Sequence, residues 1–178
     1  MIMAFSRAIT FHWSGKEVIS TQSLALDLDN TLRRRKGAKS FMGVICGIFD
    51  PTHHAIEITV AGHVYPLLLV KDGNFSWIGS PELPLGIGKK TRAFTTHQID
   101  LQPGDSLFCT TDGYIEALNN SGEQVGYEKI VSWTKETKQE DTSQWIQSLL
   151  ACQSAWSQQR LDDDITLFCL SRNPGETE

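Results

Sequence analysis

The change of hydrophobic period near Gly113 is the feature that most limits what this chain can become. Before it, apolar residues come in strand-like runs. Phe41–Phe49 is nearly continuous, carries β-branched residues and ends at Asp50-Pro51, which favours a turn, so it predicts a buried strand. Ile56, Ile58 and Val60 alternate with polar neighbours, Tyr65–Val70 is another apolar run, and Asp72-Gly73 predicts a hairpin turn toward Phe75–Ile78. Thr91–Leu101 and Asp105–Thr111 add two strands joined by Gln102-Pro103-Gly104. After Gly113 the spacing becomes helical, with helices expected over Glu128–Lys138 and Thr142–Gln158, the second carrying Trp145, Ile146, Leu149 and Leu150. Ile165–Leu170 closes the chain as a short strand.

At the other end, Met1–His12 reads as a short helix with Met3, Ala4, Ala8, Ile9 and Phe11 apolar, closed by Trp13-Ser14-Gly15. A second helix starts at Ser20 or Thr21, either of which can cap it, and Leu24, Leu28 and Leu32 form an apolar stripe before Gly37. An antiparallel meander, then helices, then one strand imply an α+β chain whose helices pack on a largely antiparallel sheet. With 178 residues, one domain over residues 1–172 is expected, followed by a loose polar tail over 173–178.

A net charge of −5 argues against a nucleic-acid binder, which gathers Lys and Arg into a patch. The one basic run, Arg33–Lys36, reads as a solvated helix end opposing the negative end of the macrodipole. Cys46, Cys109, Cys152 and Cys169 have no paired spacing, and three of them sit inside apolar strand-like runs where cysteine behaves as a small hydrophobe, so a reduced, cytoplasmic setting is expected. No stretch reaches the ~20 apolar residues that cross a bilayer. His53 and His54 read as solvated turn residues, because no carboxylate or cysteine keeps regular spacing with them.

Two acidic sets compete for the chemistry. Asp27-Leu28-Asp29-Asn30-Thr31-Leu32 resembles the opening motif of haloacid-dehalogenase-type phosphatases, which needs both carboxylates at the tip of a parallel strand. Here the leucine spacing runs through the motif as a helix, which puts Asp27, Asp29 and Asn30 on its wet side. In the second set, the strand Phe108–Thr111 ends at Asp112-Gly113, and the last strand is introduced by Asp162-Asp163-Asp164-Ile165-Thr166. In an antiparallel pair, the end of one strand and the start of its neighbour share an edge, so these carboxylates converge. Converging carboxylates repel unless a hard cation such as Mg²⁺ or Mn²⁺ lies between them.

Five short motifs occur in order: Val60-Ala61-Gly62-His63, Pro84-Leu85-Gly86, Leu101-Gln102-Pro103-Gly104-Asp105, Thr111-Asp112-Gly113-Tyr114-Ile115-Glu116-Ala117 and Asp163-Asp164-Ile165-Thr166. The series resembles the SpoIIE-type serine/threonine phosphatases of bacterial signalling, a branch of the metal-dependent type 2C superfamily, from about Met3 to Leu170. That resemblance implies an antiparallel β-sandwich flanked by helices, with two Mn²⁺ or Mg²⁺ ions at one edge and a metal-activated water as nucleophile. Carried over, Asp112 and Asp163 match metal ligands, Asp164 is the adjacent acidic residue, and Gly113 matches the glycine after the first ligand. His63 follows the family's Ala-Gly and is expected to cap the turn before Tyr65-Pro66 rather than to act in catalysis.

The resemblance also implies partners: a phosphoprotein such as a STAS-type anti-sigma-factor antagonist, an upstream sensor domain, and a homodimer through the two N-terminal helices. The family places a bridging Asp and a Gly-His-Gly just before its first core helix, and Met1–Phe5 already resembles that helix. An incomplete metal site with weak or no turnover is therefore expected of these 178 residues, and a non-catalytic binding module on the same fold is the alternative.

Overall fold

The computed structural model describes residues 20–34, 41–69, 73–88, 92–160 and 163–175. The helix expected over Met1–His12 lies outside them, as do Asp72, Thr91, Asp162 and the end of the tail. The chain divides into two compact units, one of Met1–His63 with Gly79–Asp100 and one of Val64–Ile78 with Leu101–Glu178.

The first unit holds helix α1 (Thr21–Arg34) and strands β1 (Val44–Asp50), β2 (Ala55–Ala61) and β5 (Thr96–Asp100). The strands form an antiparallel sheet in the order β1-β2-β5, with Val44 opposite Ala61 and Ala55 opposite Asp100. Asp50 closes the β1–β2 hairpin by accepting from the Thr52 N–H at 2.8 Å, and its other oxygen meets His53 Nδ1 at 2.7 Å. The second unit holds β3 (Leu67–Leu69), β4 (Phe75–Trp77), β6 (Ser106–Thr110) and β7 (Leu167–Ser171), ordered β4-β3-β6-β7 and antiparallel throughout. Its helices are α2 (Asp112–Ile115), α3 (Gly126–Glu136) and α4 (Thr142–Trp156).

The expectations for the strands need two corrections. The strands are not one meander, because after β2 the chain leaves for β3 and β4, returns as β5 and leaves again for β6 and β7. Period-2 alternation marks a strand but not its sheet. The run Phe41–Phe49 is not a buried strand: β1 starts at Val44 and lies on a sheet edge, leaving Phe41 61% and Phe49 42% exposed.

Helix α1 shows how apolar and polar forces divide the work. Ala25, Leu28 and Leu32 are buried with Cys46, Ala61, Leu85 and Phe94, whereas Leu24 is half-buried. Each buried leucine stabilises by ~1.5–3 kcal/mol, against ~1 kcal/mol for a cap, so the stripe chooses the face and the polar contacts fix the register. Ser20 Oγ accepts from the Ser23 N–H at 3.1 Å. Glu57 on β2 accepts from the Thr21 N–H at 2.6 Å and from its hydroxyl at 2.9 Å.

Further along α1, Asp29 is not on the wet side: it is 1% exposed. Its carboxylate accepts from Arg33 Nε (2.6 Å), Arg92 Nη2 (3.0 Å) and the Gly86 N–H (2.7 Å). Arg33 also donates to the Ile87 carbonyl at 2.6 Å, and Arg92 to the Pro84 carbonyl at 2.9 Å while stacking 4.3 Å from the Phe94 ring centre. Arg33 is thus engaged rather than solvated, and the Pro84-Leu85-Gly86 loop is tied to the helix. The same loop approaches Gly62, where the backbone turns at φ +57° and an added Cβ would stand 2.3 Å from Pro84 Cγ.

The second unit is built around Leu67, Leu69, Phe108, Tyr114, Trp145 and Leu149. Asp141 caps α4 by accepting from the Ser143 and Gln144 N–H groups at 2.8 and 3.1 Å. Along that helix Trp145, Leu149 and Gln153 are buried while Leu150 is 40% exposed, so its inward stripe is narrower than the sequence suggested. All four cysteines are free, and burial pushes Cys109, which also feels Cys169, up to about 12 and Cys46 to about 11, so both stay thiols at neutral pH. Among the described residues no helix is long and apolar enough to cross a membrane.

Burial alone would raise the Asp29 carboxyl, but the hydrogen bonds from Arg33 and Gly86 and the charges of Arg92 and Arg33 outweigh it, so it sits below the ordinary range. Its stabilising effect is therefore complete above the unfolded carboxylate value of ~3.9 and is lost as pH falls through the lower folded value. Asp29→Ala, which leaves two guanidinium groups uncompensated, is expected to lower the unfolding free energy by about 3 kcal/mol in urea titrations. The gap from wild type should close as pH drops below about 4. The exposed neighbour change Asn30→Ala should stay within about 0.5 kcal/mol.

Candidate functional site

The site grows from the β6–β7 pair. Thr110 lies opposite Leu167, and the pairing extends one residue further because the Thr111 N–H donates to the Thr166 carbonyl at 3.2 Å. The Thr111 hydroxyl then does what the backbone no longer does. It accepts from the Thr166 N–H at 3.0 Å and donates to the Asp164 carbonyl at 3.0 Å. This stitch holds the segment that leads into β7 against the end of β6, and Asp112 follows immediately as the first residue of α2.

Gly113 sets the closeness of approach. A Cβ there would stand 2.6 Å from the Asp164 carbonyl oxygen and 3.2 Å from Asp163 Cβ, so the position excludes a side chain for lack of space. One residue on, Tyr114 is fully buried, donates its hydroxyl to the Leu149 carbonyl at 2.9 Å and packs edge-on to Phe108 and Trp133. Burial raises the Tyr114 pKa, which keeps that donor protonated. With its glycine pressed on the acidic segment and its tyrosine in the core, α2 leaves Asp112 exposed at the rim. Asp163 and Asp164 are exposed on the same rim. The Asp112 carboxylate accepts from the Gly113 N–H at 3.1 Å and that of Asp163 from the Asp164 N–H at 2.7 Å.

Two cavities flank Asp163. A smaller one, about 220 Å³, is lined by Gly113, Glu116, Leu118, Gln153, Arg160 and Asp163 among others. A larger, open one of about 830 Å³ is lined by Leu150, Gln153, Ser154, Ser157, Asp163 and Asp164 among others. Between α4 and the acidic segment the chain turns through Gln158 at φ 51° and Gln159 at φ 65°. Left-handed backbone costs a non-glycine residue ~1–2 kcal/mol, so two in succession persist only where the surroundings impose them. The Gln159 N–H donates to the Ser154 carbonyl at 2.9 Å, and Asn120 Nδ2 donates to Gln158 Oε1 at 2.6 Å.

The structure brings Asp112, Gly113, Asp163 and Asp164 to one end of one strand pair, as their order in the sequence implied. Oxygen donors of this kind suit a hard divalent cation. In number they fall short, because among the described residues no three His, Cys, Asp or Glu side chains converge closely enough to hold an ion. The competing motif fares worse: Asp27 and Asp29 lie on a helix rather than at a strand tip, and the Asp29 carboxylate is saturated by two arginines and a backbone N–H. His53 pairs with Asp50 in an exposed hairpin turn. Arg160, Gln153 and the Tyr114 hydroxyl were missed by sequence reasoning, since nothing in Gln158-Gln159-Arg160 marks a turn without glycine.

The family model described as Stage II sporulation protein E matches residues 1–173. The chain belongs to the SpoIIE family. Its fold is similar to the SiaA-PP2C domain of Pseudomonas aeruginosa, with a TM-score of 0.81 at 14% identity over 96% of this chain and 68% of that one. It is also similar to the PP2C phosphatase domain, with a fragment of the regulatory domain, of SpoIIE from Bacillus subtilis (TM-score 0.76, 16% identity, 96% and 48% covered). The RsbU and RsbW domains of a Mycobacterium tuberculosis protein match at TM-score 0.74 and 22% identity, covering 99% of this chain and 48% of that one. No curated protein sequence matches the chain. As a SpoIIE-family member the protein is a PP2C-type phosphatase by family, with the mixed helix and antiparallel-sheet fold of that class.

Gly113→Ala is expected to cost about 1–3 kcal/mol of stability, because the Asp164 carbonyl must move to admit the methyl group. Thr111→Val, isosteric but without the hydroxyl that serves two backbone groups, should cost about 1–3 kcal/mol. Both are read from urea-unfolding midpoints.

Proposed function

We propose that residues 1–172 form one phosphatase domain that removes phosphate from phosphoserine or phosphothreonine in a signalling protein. In this reading Asp112 and Asp163 ligate Mn²⁺ or Mg²⁺, with Asp164 and Gly113 completing the rim. The observation that carries it is the stitch from Thr111 to Asp164 and Thr166, with Gly113 pressed on Asp164, which sets two acidic segments at one strand end inside a SpoIIE-family chain. The metal is supported by what is known of neighbours: one structure of the Bacillus subtilis SpoIIE phosphatase domain is manganese-presoaked, and RsbX is in complex with magnesium. Bound there, such an ion would acidify a water and draw charge from the phosphoryl oxygens.

The chain's own residues have separate tasks. Asp112 and Asp163 would supply negative oxygen donors, one just after β6 and one in the segment that leads into β7. Thr111 and Gly113 hold those two segments together, and Tyr114 fixes the direction in which Asp112 leaves the core. The phosphoprotein is proposed to be a partner-switching regulator of the anti-sigma-factor-antagonist type. Support comes from the company related domains keep, an RsbU domain solved together with an RsbW domain and a PP2C domain in SiaA.

A second reading, a binding module that no longer turns over phosphate, is favoured by the lack of any three-donor group among the described residues. Calorimetric titration of residues 1–178 with Mn²⁺ separates the two. The phosphatase reading expects weak binding that Asp163→Asn or Asp112→Asn lowers at least about tenfold, with slow release of phosphate from a phosphoserine protein. No Mn²⁺ uptake by wild type and no phosphate release would leave the binding module standing.

A further inference from the structure

The acidic rim poses an electrostatic difficulty. A phosphoryl group entering beside Asp112, Glu116, Asp163 and Asp164 meets four carboxylates, and like charges within a few ångströms oppose its approach. Among the described residues that line the two cavities, one cation is present: Arg160. It lines the smaller cavity together with Gly113 and Asp163, whose volume of about 220 Å³ has room for roughly seven waters at ~30 Å³ each, ample for a phosphoryl group. Its placement is not incidental, because Arg160 directly follows the left-handed pair Gln158 and Gln159, and its N–H closes on the Ser157 carbonyl at 3.1 Å.

The larger cavity differs in chemistry and shares Gln153, Asp163 and Ile165 with the smaller one. Apart from the two aspartates, its lining is uncharged: the hydroxyls of Ser154 and Ser157, the amides of Gln153 and Gln159, the exposed Leu150, and Ile165. At about 830 Å³ it lies within the ~300–1,000 Å³ of ligand clefts. A lining of hydroxyls, amides and two aliphatic side chains suits extended polypeptide, whose main chain offers a donor and an acceptor at every residue.

We propose that Arg160 is the residue that distinguishes a phosphorylated from an unphosphorylated segment, and that the Leu150–Ser154–Ser157 cleft holds the polypeptide flanking the phosphorylated residue. This rests on the phosphatase reading of the acidic rim and adds to it a division of the site into a phosphoryl compartment and a peptide compartment on either side of Asp163. A guanidinium binds a phosphoryl group through two parallel N–H donors, which a lysine does not reproduce.

The test is a binding measurement, independent of turnover. A fluorescein-labelled peptide with one phosphoserine between alanines, and its unphosphorylated twin, are titrated with residues 1–178 in Mn²⁺ and followed by polarisation, with free O-phosphoserine as competitor. Wild type is expected to prefer the phosphorylated peptide, Arg160→Ala to weaken it at least about tenfold with little change for the twin, and Arg160→Lys to restore only part. Leu150→Trp should weaken both peptides more than it weakens free O-phosphoserine, and Ser154→Trp serves if the first variant does not fold. Equal affinity of wild type and Arg160→Ala for the phosphorylated peptide would overturn the assignment, as would a wild type blind to phosphorylation. Either result alongside intact Mn²⁺ uptake and p-nitrophenyl phosphate hydrolysis would leave the phosphatase reading in place.

Discussion

The Thr111 side chain is the contact on which the candidate site depends. Where the β6–β7 ladder runs out of paired backbone, its hydroxyl accepts one hydrogen bond and donates another, extending the register across the gap to Asp164. Gly113 then limits the separation from the other side, since the space a methyl group would need is occupied by a carbonyl oxygen. Two exposed acidic segments are thereby held at one end of the strand pair by neutral groups.

The first unit handles buried charge differently. Asp29 gathers two arginines and a backbone N–H, and those arginines reach on to the carbonyls of residues 84, 87 and 88. Both oxygens of the buried Asp29 carboxylate find donors, which is the condition under which a buried ion pair is tolerated, while Arg92 Nε is left without a partner. The result is a mechanical link between a helix and a loop that share no strand pairing. Ala61-Gly62-His63 joins the same arrangement through the contact of Gly62 with Pro84, so two of the five motifs meet here. The other three lie in the second unit: Thr111–Ala117 and Asp163–Thr166 meet at one end of the β6–β7 pair, and the turn where Gln102 and Asp105 bond each other lies at the opposite end.

Much of this was legible in the sequence, for identifiable reasons. Asp112 and Asp163 could be paired in advance because antiparallel neighbours bring an end and a start to one edge, and turn residues marked both. The helix over 142–156 was visible in its apolar spacing and closed by Asp141, a local cap. What could not be read was long-range. Asp29 occupies an inward position of α1, at helical spacing with Ala25, Leu28 and Leu32, but its burial depends on Arg92, 63 residues away. Strands β3 and β4 are three residues each, too short for alternation to say which sheet they join. Arg160 is placed by two left-handed glutamines, and glutamine carries no signal for that conformation.

The cap on α1 has a consequence for the order in which the molecule assembles. Helices α1 and α4 have similar lengths, 14 and 15 residues, and each has a local cap, Ser20 and Asp141, but the first N–H of α1 is bonded from a distance. Asp141 adjoins α4 in sequence, so that helix can begin as soon as its own segment is free. The Thr21 N–H waits for Glu57, 36 residues downstream on β2, whose far oxygen also accepts from Gln98 on β5. Its partner comes into range only after the chain has closed a long loop, an entropic toll that local caps avoid. In refolding, α4 should therefore acquire amide-exchange protection early, and the Thr21 amide of α1 only once β2 has docked, making that one N–H a late reporter of the native state.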